Sequence, residues 1–238
     1  MKLKIFTTVT NQPDFAKLQA QTFSEFLECD YEFHLVDDSI DSQNLSDQYI
    51  QICEENSMIY HRKHEKIVPH NPMMGCAFAV QWTYENLIKQ YNNDIVLFVD
   101  SDMFLFEKFN PIEYMKDKII TGCIQRRGNV EYIWNGIFIL NMPKVLSLRG
   151  DLNFSCGVVE GELTDVGGHT FYFLKENELQ VDDIQPSYGG FYNDIELENM
   201  ETFMEGKFFH FRGGTLWDRK KDVYERKLEI LNQILETI

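Results

Sequence analysis

Short apolar segments alternate with amphipathic segments along the first half of the chain. Apolar, β-branched runs predict strands, and apolar residues at helical spacing predict helices. The predicted strands are Lys2–Thr8, Tyr31–Val36, Met58–His61 and Asp94–Val99. The predicted helices between them are Asp14–Leu27, Gln43–Glu55 and Met73–Tyr91. Strands that alternate with helices are typical of a parallel sheet with crossover helices, so we expect an α/β fold.

The second half of the chain has a less regular pattern. Its predicted strands are Ile119–Ile124, Tyr132–Leu140 and Phe208–Phe211. Its predicted helices are Val166–Lys175 and Val223–Leu235. No stretch rich in Pro, Gly or Ser divides the sequence, and 238 residues suit one α/β domain. We therefore expect a single domain over residues 1–238, with a mixed, mainly parallel central sheet flanked by helices.

Charge narrows the classes of partner. The formal net charge is −16, whereas nucleic acid phosphates are bound by clustered Lys and Arg. Nucleic acid is therefore not an expected partner, and neither is an anionic membrane surface. A small substrate that carries phosphate would meet a repulsive field, which a divalent cation can cancel locally.

The cysteines and the apolar runs indicate the compartment. The five cysteines are widely spaced and form no C-x-x-C pair, which is typical of a reduced, cytoplasmic protein. The N-terminal residues begin a strand without an apolar h-region, and no apolar run approaches ~18 residues. We therefore expect no signal peptide and no transmembrane segment.

Two carboxylates follow the most apolar predicted strand, in the sequence Val99-Asp100-Ser101-Asp102. Ligands of parallel sheets bind outside the carboxyl ends of the strands. Carboxylate oxygens at this spacing suit Mg²⁺ or Mn²⁺, and such a cation can bind a diphosphate and neutralise it as a leaving group. The alternative is a solvated loop that carries two aspartates by chance.

Three segments, taken in order, resemble the GT-A fold glycosyltransferases. In Asn71–Phe104, a helix that opens with small residues precedes the strand with the D-x-D motif. Trp134–Met142 is similar to the F-N-S-G-V-x-x-x-N strand of the glycogenin-like and lipopolysaccharide-galactosyltransferase branch, without the Ser. His210–Trp217 is similar to the H-x-x-G-x-x-x-P-W motif of that branch, one residue shorter and with Leu216 in place of the Pro before the Trp.

This resemblance implies a GT-A (Rossmann-like) fold and a metal-dependent glycosyltransferase. The expected reaction moves a hexose from a nucleotide-diphosphate sugar, with UDP-sugar favoured, to a glycan or another hydroxyl acceptor. Residues 1–102 would form the nucleotide-sugar-binding half, and residues 103–238 the acceptor-binding half with the C-terminal helix. The expected cofactor is Mn²⁺ or Mg²⁺, with Asp100, Asp102 and His210 as ligands. The alternative for His210 is a half-buried side chain whose hydrogen bonds are satisfied within the protein.

The donor site is expected along the carboxyl ends of the strands. Backbone groups after the first strand would line it, and one aspartate after the second strand would hold the base or ribose, unless it forms an Asx turn. Arginines would clamp phosphate, and Trp134 with Asn135 would form the floor of the sugar pocket, unless both pack in the core. The expected donor-binding residues are Thr8, Val9, Thr10, Asp37, Asp38, Arg62, Asp100, Ser101, Trp134, Asn135, Gly136, Arg212 and Gly213.

Asp165 and His169 are the candidate catalytic residues on the acceptor side. Inverting relatives carry a catalytic base at a helix start in this region, and retaining relatives carry an Asp-Gln pair at a similar place. Asp165 matches either arrangement, so the stereochemical outcome stays open. The alternative for Asp165 is a helix N-cap, a position where Asp is favoured.

Two other functions compete with sugar transfer. A nucleotidyltransferase needs a Gly-rich loop with Lys or Arg after the first strand, and Thr8–Pro13 contains neither Gly nor a basic residue. A non-catalytic module that binds nucleotide-sugars would not require the three metal ligands, so Asp100, Asp102 and His210 favour an enzyme.

Overall fold

Helices and strands alternate through the residues that the computed structural model describes, which are 1–39, 43–63, 72–197, 200–212 and 221–237. The helices are α1 (Pro13–Phe26), α2 (Gln43–Glu55), α3 (Pro72–Asn86), α4 (Pro111–Tyr114), α5 (Met142–Val145), α6 (Thr170–Glu176) and α7 (Lys221–Glu236). The longer strands are β1 (Leu3–Val9), β2 (Tyr31–Asp37), β3 (Ile59–Arg62), β4 (Ile95–Val99), β6 (Ile120–Arg127) and β7 (Val130–Asn141). The short strands are β5 (Met103–Leu105), β8 (Gly157–Val159), β9 (Glu162–Thr164), β10 (Asp182–Asp183), β11 (Ser187–Tyr188), β12 (Phe191–Tyr192), β13 (Ile195–Glu196), β14 (Glu201–Phe203) and β15 (Phe208–His210).

The central sheet is mixed and mainly parallel. Among the described residues its strand order is β10-β6-β7-β4-β1-β2-β3. The pairs β4/β1, β1/β2, β2/β3 and β10/β6 are parallel, whereas β7 runs antiparallel to both β4 and β6. The predicted mixed, mainly parallel sheet flanked by helices is therefore confirmed.

Both faces of this sheet are buried, because successive side chains of a strand point to opposite faces. Ile5 and Leu97 pack on the face that carries α1, whereas Phe6 and Phe98 pack on the face that carries α3. A sheet that helices cover on both sides needs apolar residues at nearly every strand position. This explains the continuous apolar run of β4, in which all five residues are fully buried.

A second, four-stranded sheet lies beyond β4 and decides the geometry of the site. Its order among the described residues is β11-β14-β15-β5, and all its pairs are antiparallel. The strand β5 follows β4 after a turn of three residues, Asp100, Ser101 and Asp102. The D-x-D turn thus joins the two sheets.

The predicted helix Met73–Tyr91 is too long, because α3 ends at Asn86 and a separate 3₁₀ helix, Ile88–Gln90, follows. The boundaries of the first two helices agree closely. The predicted helix Gln43–Glu55 coincides with α2, and the predicted start of the first helix at Asp14 lies one residue inside α1. Pro13 occupies the first turn of α1, where the missing N–H costs nothing. None of the helices within the described ranges is both long and apolar enough to cross a bilayer.

Candidate metal and donor site

The D-x-D turn leaves the sheet at the point where the strand order reverses. From β1 the chain proceeds to β2 and β3 on one side, whereas β4 pairs with the other side of β1. A crevice opens outside the carboxyl ends of the strands at such a switch point, and it is the usual place for ligands in open α/β sheets. Asp100 and Asp102 occupy this place.

Buried hydrogen bonds hold the turn in its conformation. The backbone N–H of Asp100 donates to the carbonyl of Gly136 on β7 at 2.8 Å. Gln19, fully buried on α1, donates from Nε2 to the carbonyls of Asp100 and Met103 at 2.7 and 2.9 Å. The two sides of the turn are therefore fixed before any ligand binds.

Strand pairing in the small sheet brings a histidine to the two aspartates. In the pairing of β15 with β5, His210 lies opposite Met103, and the N–H of Phe211 donates to the carbonyl of Asp102 at 2.8 Å. Ligand atoms of Asp100, Asp102 and His210 lie within 4.8 Å of one another. The three predicted metal ligands thus form one cluster, although His210 lies more than a hundred residues after the two aspartates in the sequence.

The electrostatics of this cluster suit a cation. Burial, together with the neighbouring charge of Asp102, raises the pKa of Asp100 to about 7. Burial disfavours a charged imidazole, but the charges of Asp102 and Asp100 and the hydrogen bonds to Asp102 and Glu201 raise the pKa of His210 to about 10. Two carboxylates and one imidazole form a ligand set that suits Mn²⁺. The positive charge of the ion would relieve the repulsion between the carboxylates.

Glu201 on β14 completes the surroundings of the histidine. Its Oε2 lies 2.7 Å from Nδ1 of His210, while Nε2 of His210 lies 3.2 Å from Oδ1 of Asp102. Ligating histidines almost always donate their other ring N–H to a carboxylate or carbonyl. The residues present therefore fit a metal ion and include the outer partner that such sites require.

Trp134 borders the cluster from β7. Its ring centroid lies 5.4 Å from that of His210. The indole also stacks on the ring of Phe203, with a centroid distance of 5.9 Å and an interplanar angle of 19°. The ring also lies over Gly136, where a Cβ would come within 1.9 Å of its carbons. The predicted sugar-pocket residue is therefore also a wall of the metal cluster.

Asn135 lies between these two residues and is almost fully buried. Its Nδ2 donates to the carbonyl of Phe154 at 3.4 Å, and its Oδ1 has no partner among the described residues. A buried hydrogen-bond acceptor without a partner costs free energy in a folded protein. This oxygen is therefore a candidate acceptor for a hydrogen bond from a substrate hydroxyl.

The thiol of Cys76, in the second turn of α3, lies in a negative electrostatic field. Burial raises the pKa of Cys76 well above its ordinary value, and the charges of Asp100, Asp165, Asp102 and Asp38 add to this effect. The charges of the predicted donor-side and acceptor-side aspartates therefore act on the same thiol as those of Asp100 and Asp102.

Asp37 and Arg62, in contrast, bind each other. The carboxylate of Asp37 is fully buried and accepts hydrogen bonds from the guanidinium of Arg62, from Ser46 and Tyr60 at 2.8 Å each, and from the N–H of Ser39 at 2.9 Å. The last of these is the Asx turn that the sequence left open as the alternative. Asp38, whose pKa is raised mainly by burial and which pairs with Lys63 at 2.7 Å, is the better candidate for a donor contact.

The segment after β9 corrects the predicted start of the helix Val166–Lys175 and excludes the N-cap alternative for Asp165. The helix α6 begins at Thr170, not at Val166, and Asp165 is not its N-cap. Gly167 has a φ of +89° and packs so closely on β7 that a Cβ would lie 1.9 Å from the carbonyl oxygen of Ile133. A tight turn against the sheet therefore replaces the predicted first turn of the helix, and Oδ1 of Asp165 accepts from the N–H of Val166 at 2.8 Å.

Among the other predicted residues, only Gly213 lies outside the residues that the structure describes. His169 precedes α6, and its Nε2 lies 3.4 Å from where a Cβ of Gly157 would be. Thr8 and Val9 end β1 and Thr10 follows it, and the carbonyl of Val9 accepts from the N–H of Asp38 at 2.8 Å. Ser101 lies between the two aspartates, and Arg212 contacts Glu201 at 3.3 Å.

Glu201, Gln19 and Cys76 are the residues of the site that sequence reasoning missed. Glu201 and Gln19 belong to no motif, because each reaches the site only through the packing of a distant element. Cys76 stands in the Gly-Cys-Ala opening of α3, so the small residues near the start of this helix were the available signal.

No protein-family model and no curated protein matches the chain. Solved structures that it resembles are GT-A glycosyltransferases, the class that its motifs resemble. One is the galactosyltransferase LgtC in complex with donor and acceptor sugar analogues, at 16% identity and a TM-score of 0.37, covering 59% of this chain and 58% of that chain. Another is the mannosyltransferase PcManGT from Pyrobaculum calidifontis in complex with GDP-Man and Mn²⁺, at 10% identity and a TM-score of 0.44, covering 61% and 46%. A third is the mannosyltransferase Ktr4p from S. cerevisiae, at 11% identity and a TM-score of 0.43, covering 61% and 59%.

The chain thus spans about half to three fifths of the length of these solved structures, since 46–59% of each is covered. At identities of 10–16%, the likeness to these structures is one of fold alone.

Proposed function

We propose that the protein is a metal-dependent glycosyltransferase that moves a hexose from a nucleotide-diphosphate sugar, with UDP-sugar as the favoured donor, to a hydroxyl acceptor such as a glycan. The observation that carries this proposal is the cluster of Asp100, Asp102 and His210 at the switch point of a mainly parallel sheet. Mn²⁺ is the favoured ion, because the ligand set combines carboxylates with an imidazole.

Asp100, Asp102 and His210 would hold the ion, which supplies positive charge for the departing diphosphate. Gln19 keeps the two aspartates in place through the backbone of their turn. A site that is preorganised in this way needs little reorganisation free energy when charge develops on the leaving group.

The remaining residues divide between donor and acceptor. Residues 1–102 bind the nucleotide-sugar, with Asp38 toward the nucleoside, and residues 103–238 supply the acceptor side. Trp134 provides an aromatic face for a sugar ring, and the Oδ1 of Asn135 provides an acceptor for a hydroxyl. Arg212 binds the diphosphate.

Asp165 is the candidate catalytic residue, with His169 nearby. Two observations support this role: the charge of Asp165 acts on the thiol of Cys76 together with those of Asp100 and Asp102, and Asp165 does not cap α6. If the reaction inverts the sugar, Asp165 takes the proton of the acceptor hydroxyl. If the reaction retains configuration, Asp165 positions the donor sugar, and NMR of the anomeric proton of the product distinguishes the two roles.

Asp102→Asn tests the proposal. Purified protein is incubated with UDP-, GDP- or CMP-sugars and Mn²⁺, and release of the nucleotide is measured with and without acceptor saccharides. The substitution removes one ligand of the ion and is expected to lower the rate roughly 10²–10³-fold. A metal chelator is expected to abolish the activity of the unmodified protein.

Asp117→Asn is the matched control, because Asp117 is an exposed aspartate away from the cluster.

Binding without turnover would indicate a non-catalytic module, and nucleotide transfer onto a sugar phosphate would indicate a nucleotidyltransferase. A donor that binds at a hundredfold excess over its Kd is expected to raise the Tm by about 5–10 °C in the presence of Mn²⁺. Equal activity of Asp102→Asn and Asp117→Asn would refute the proposal.

A further inference from the structure

One buried carboxylate connects the metal ligand His210 with the exposed Arg212. In the four-stranded sheet, Tyr188 pairs with Glu201, Glu201 pairs with His210, and His210 pairs with Met103. Register partners point to the same face of a sheet, so these side chains form one row across it. The row ends at the D-x-D turn.

The first oxygen of Glu201 fixes the imidazole. With Oε2 at 2.7 Å, Nδ1 of His210 keeps its proton as a donor, and the other ring nitrogen faces Asp102 at 3.2 Å. This leaves Nε2 of His210 as the atom that can bind a metal ion. Glu201 therefore selects the ligating tautomer and the orientation of the ring.

The second oxygen of Glu201 fixes a guanidinium at the rim. Oε1 lies 3.3 Å from Nη1 of Arg212, and the side chain of Arg212 is 60% exposed, against 9% for Glu201. Arg212 also has a φ of +57°, a conformation that costs a non-glycine residue energy and that is found at functional sites. The guanidinium of Arg212 is thus held by the same carboxylate that holds His210 and remains largely exposed.

Packing alone does not require a carboxylate at this position. Aromatic rings of Trp134 and Phe203 already border His210, with centroids 5.4 and 6.2 Å from its ring. A buried carboxylate costs free energy unless it is paired, and an apolar side chain of similar volume fills such a site at no such cost. Glu201 also accepts a hydrogen bond from Tyr188 at the surface, and the carboxylate is explained if its two charged partners, His210 and Arg212, act on the substrate.

We propose that Glu201 is a positioning residue that aligns two halves of the site, the metal ligand His210 through Oε2 and the diphosphate-binding Arg212 through Oε1. This inference rests on the proposed function. It predicts that Glu201 affects the binding of the metal ion and of the nucleoside diphosphate, whereas Arg212 affects only the nucleoside diphosphate.

The test measures the two affinities separately in the full chain. The Kd of Mn²⁺ alone is obtained from the EPR signal of free Mn²⁺, and the Kd of UDP at saturating Mn²⁺ is obtained by calorimetry. Glu201→Gln is expected to weaken both, with Mn²⁺ binding about 10- to 100-fold weaker. Arg212→Gln is expected to leave Mn²⁺ binding within about twofold and to weaken UDP binding roughly 10- to 100-fold. Glu196→Gln, at an exposed glutamate, is the control and is expected to change neither affinity.

Three outcomes would overturn parts of the reasoning in different ways. Folded Glu201→Gln that binds Mn²⁺ as tightly as the unmodified protein would overturn the positioning role. Arg212→Gln that weakens Mn²⁺ alone as much as Glu201→Gln does would overturn the division between the two oxygens. An unmodified protein that binds Mn²⁺ no better than Asp102→Asn would overturn the proposed function as well. Should Glu201→Gln fail to fold, Glu201→Asp carries the same test, because its shorter carboxylate keeps the charge but cannot reach both partners.

Discussion

Gly136→Ala is expected to destabilise the protein through the ring of Trp134. A Cβ at position 136 would lie 1.9, 2.2 and 2.3 Å from three carbons of the indole, whereas ordinary carbon contacts are about 3.5–4.0 Å. The ring must therefore withdraw by about 1.5 Å or more. Phe203 stacks on one side of it and His210 borders it, so it cannot move without displacing a neighbour.

The expected cost follows from this crowding. Overpacking of a well-packed site costs about 1–3 kcal/mol, which for a chain of this length lowers the Tm by about 2–12 °C. Because the displaced indole presses on His210, the affinity for Mn²⁺ is also expected to fall. Thermal unfolding without metal gives the first effect, and a Mn²⁺ titration of the same sample gives the second.

Gly122→Ala is the matched control on the neighbouring strand β6. Its added Cβ would meet side-chain carbons of Ile133 and Phe138 at 3.0 and 3.4 Å, which demands a shift of only a few tenths of an ångström. The combination of Gly136→Ala with Trp134→Leu removes the ring, so the double variant is expected to lose less than the sum of the single losses. Additive losses, or a Gly136→Ala variant that melts with the unmodified protein, would show that the ring does not transmit the effect.

Two further substitutions test the buried polar groups that hold the fold and the site. Burial, and then the neighbouring His61, lowers the pKa of His34 from its ordinary 6.5 to about 4, so the unfolded chain binds more protons than the folded protein between these values. The stability that neutral His34 contributes is therefore lost as the pH falls through this window. Urea unfolding is measured at pH 7 and at pH 5. Between these values the free energy of unfolding of the unmodified protein should fall by about 2 kcal/mol more than that of His34→Phe. Gln19→Leu leaves the carbonyls of Asp100 and Met103 without their donor and is expected to cost about 1–3 kcal/mol and to weaken Mn²⁺ binding; unchanged unfolding and Mn²⁺ titration curves would contradict the bracing role.

The elements that the sequence predicts best are those whose apolar pattern is long or continuous. Gln43–Glu55 was predicted to the residue, and β4 was recognised from its continuous apolar run. Hydrophobic periodicity over ten or more residues is a local signal, because one buried face is specified by the residues of the element itself. The short strands β8 to β14 have two or three residues each and carry no such signal.

The candidate site divides in the same way. The two aspartates of the D-x-D turn could be predicted, since their place after the most apolar strand puts them at the carboxyl edge of a parallel sheet. His210 was named through the resemblance of its motif, and strand pairing of β15 with β5 is what places it there. For Asp37 and Arg62 the sequence left a turn and a ligand contact open, and their mutual hydrogen bond shows how their polar groups are used.

The sequence by itself therefore determined the alternation of helices and strands, the mainly parallel sheet and the acidic turn that leaves it. Tertiary structure alone decided that β7 runs antiparallel between β4 and β6, that Gln19 braces the turn, and that Glu201 stands behind His210. The physical reason is the separation along the chain between the residues that interact. A repeating pattern or a turn depends on neighbours within a few residues, whereas the partner of a buried polar group is whichever distant side chain the packing of whole elements brings within hydrogen-bond distance.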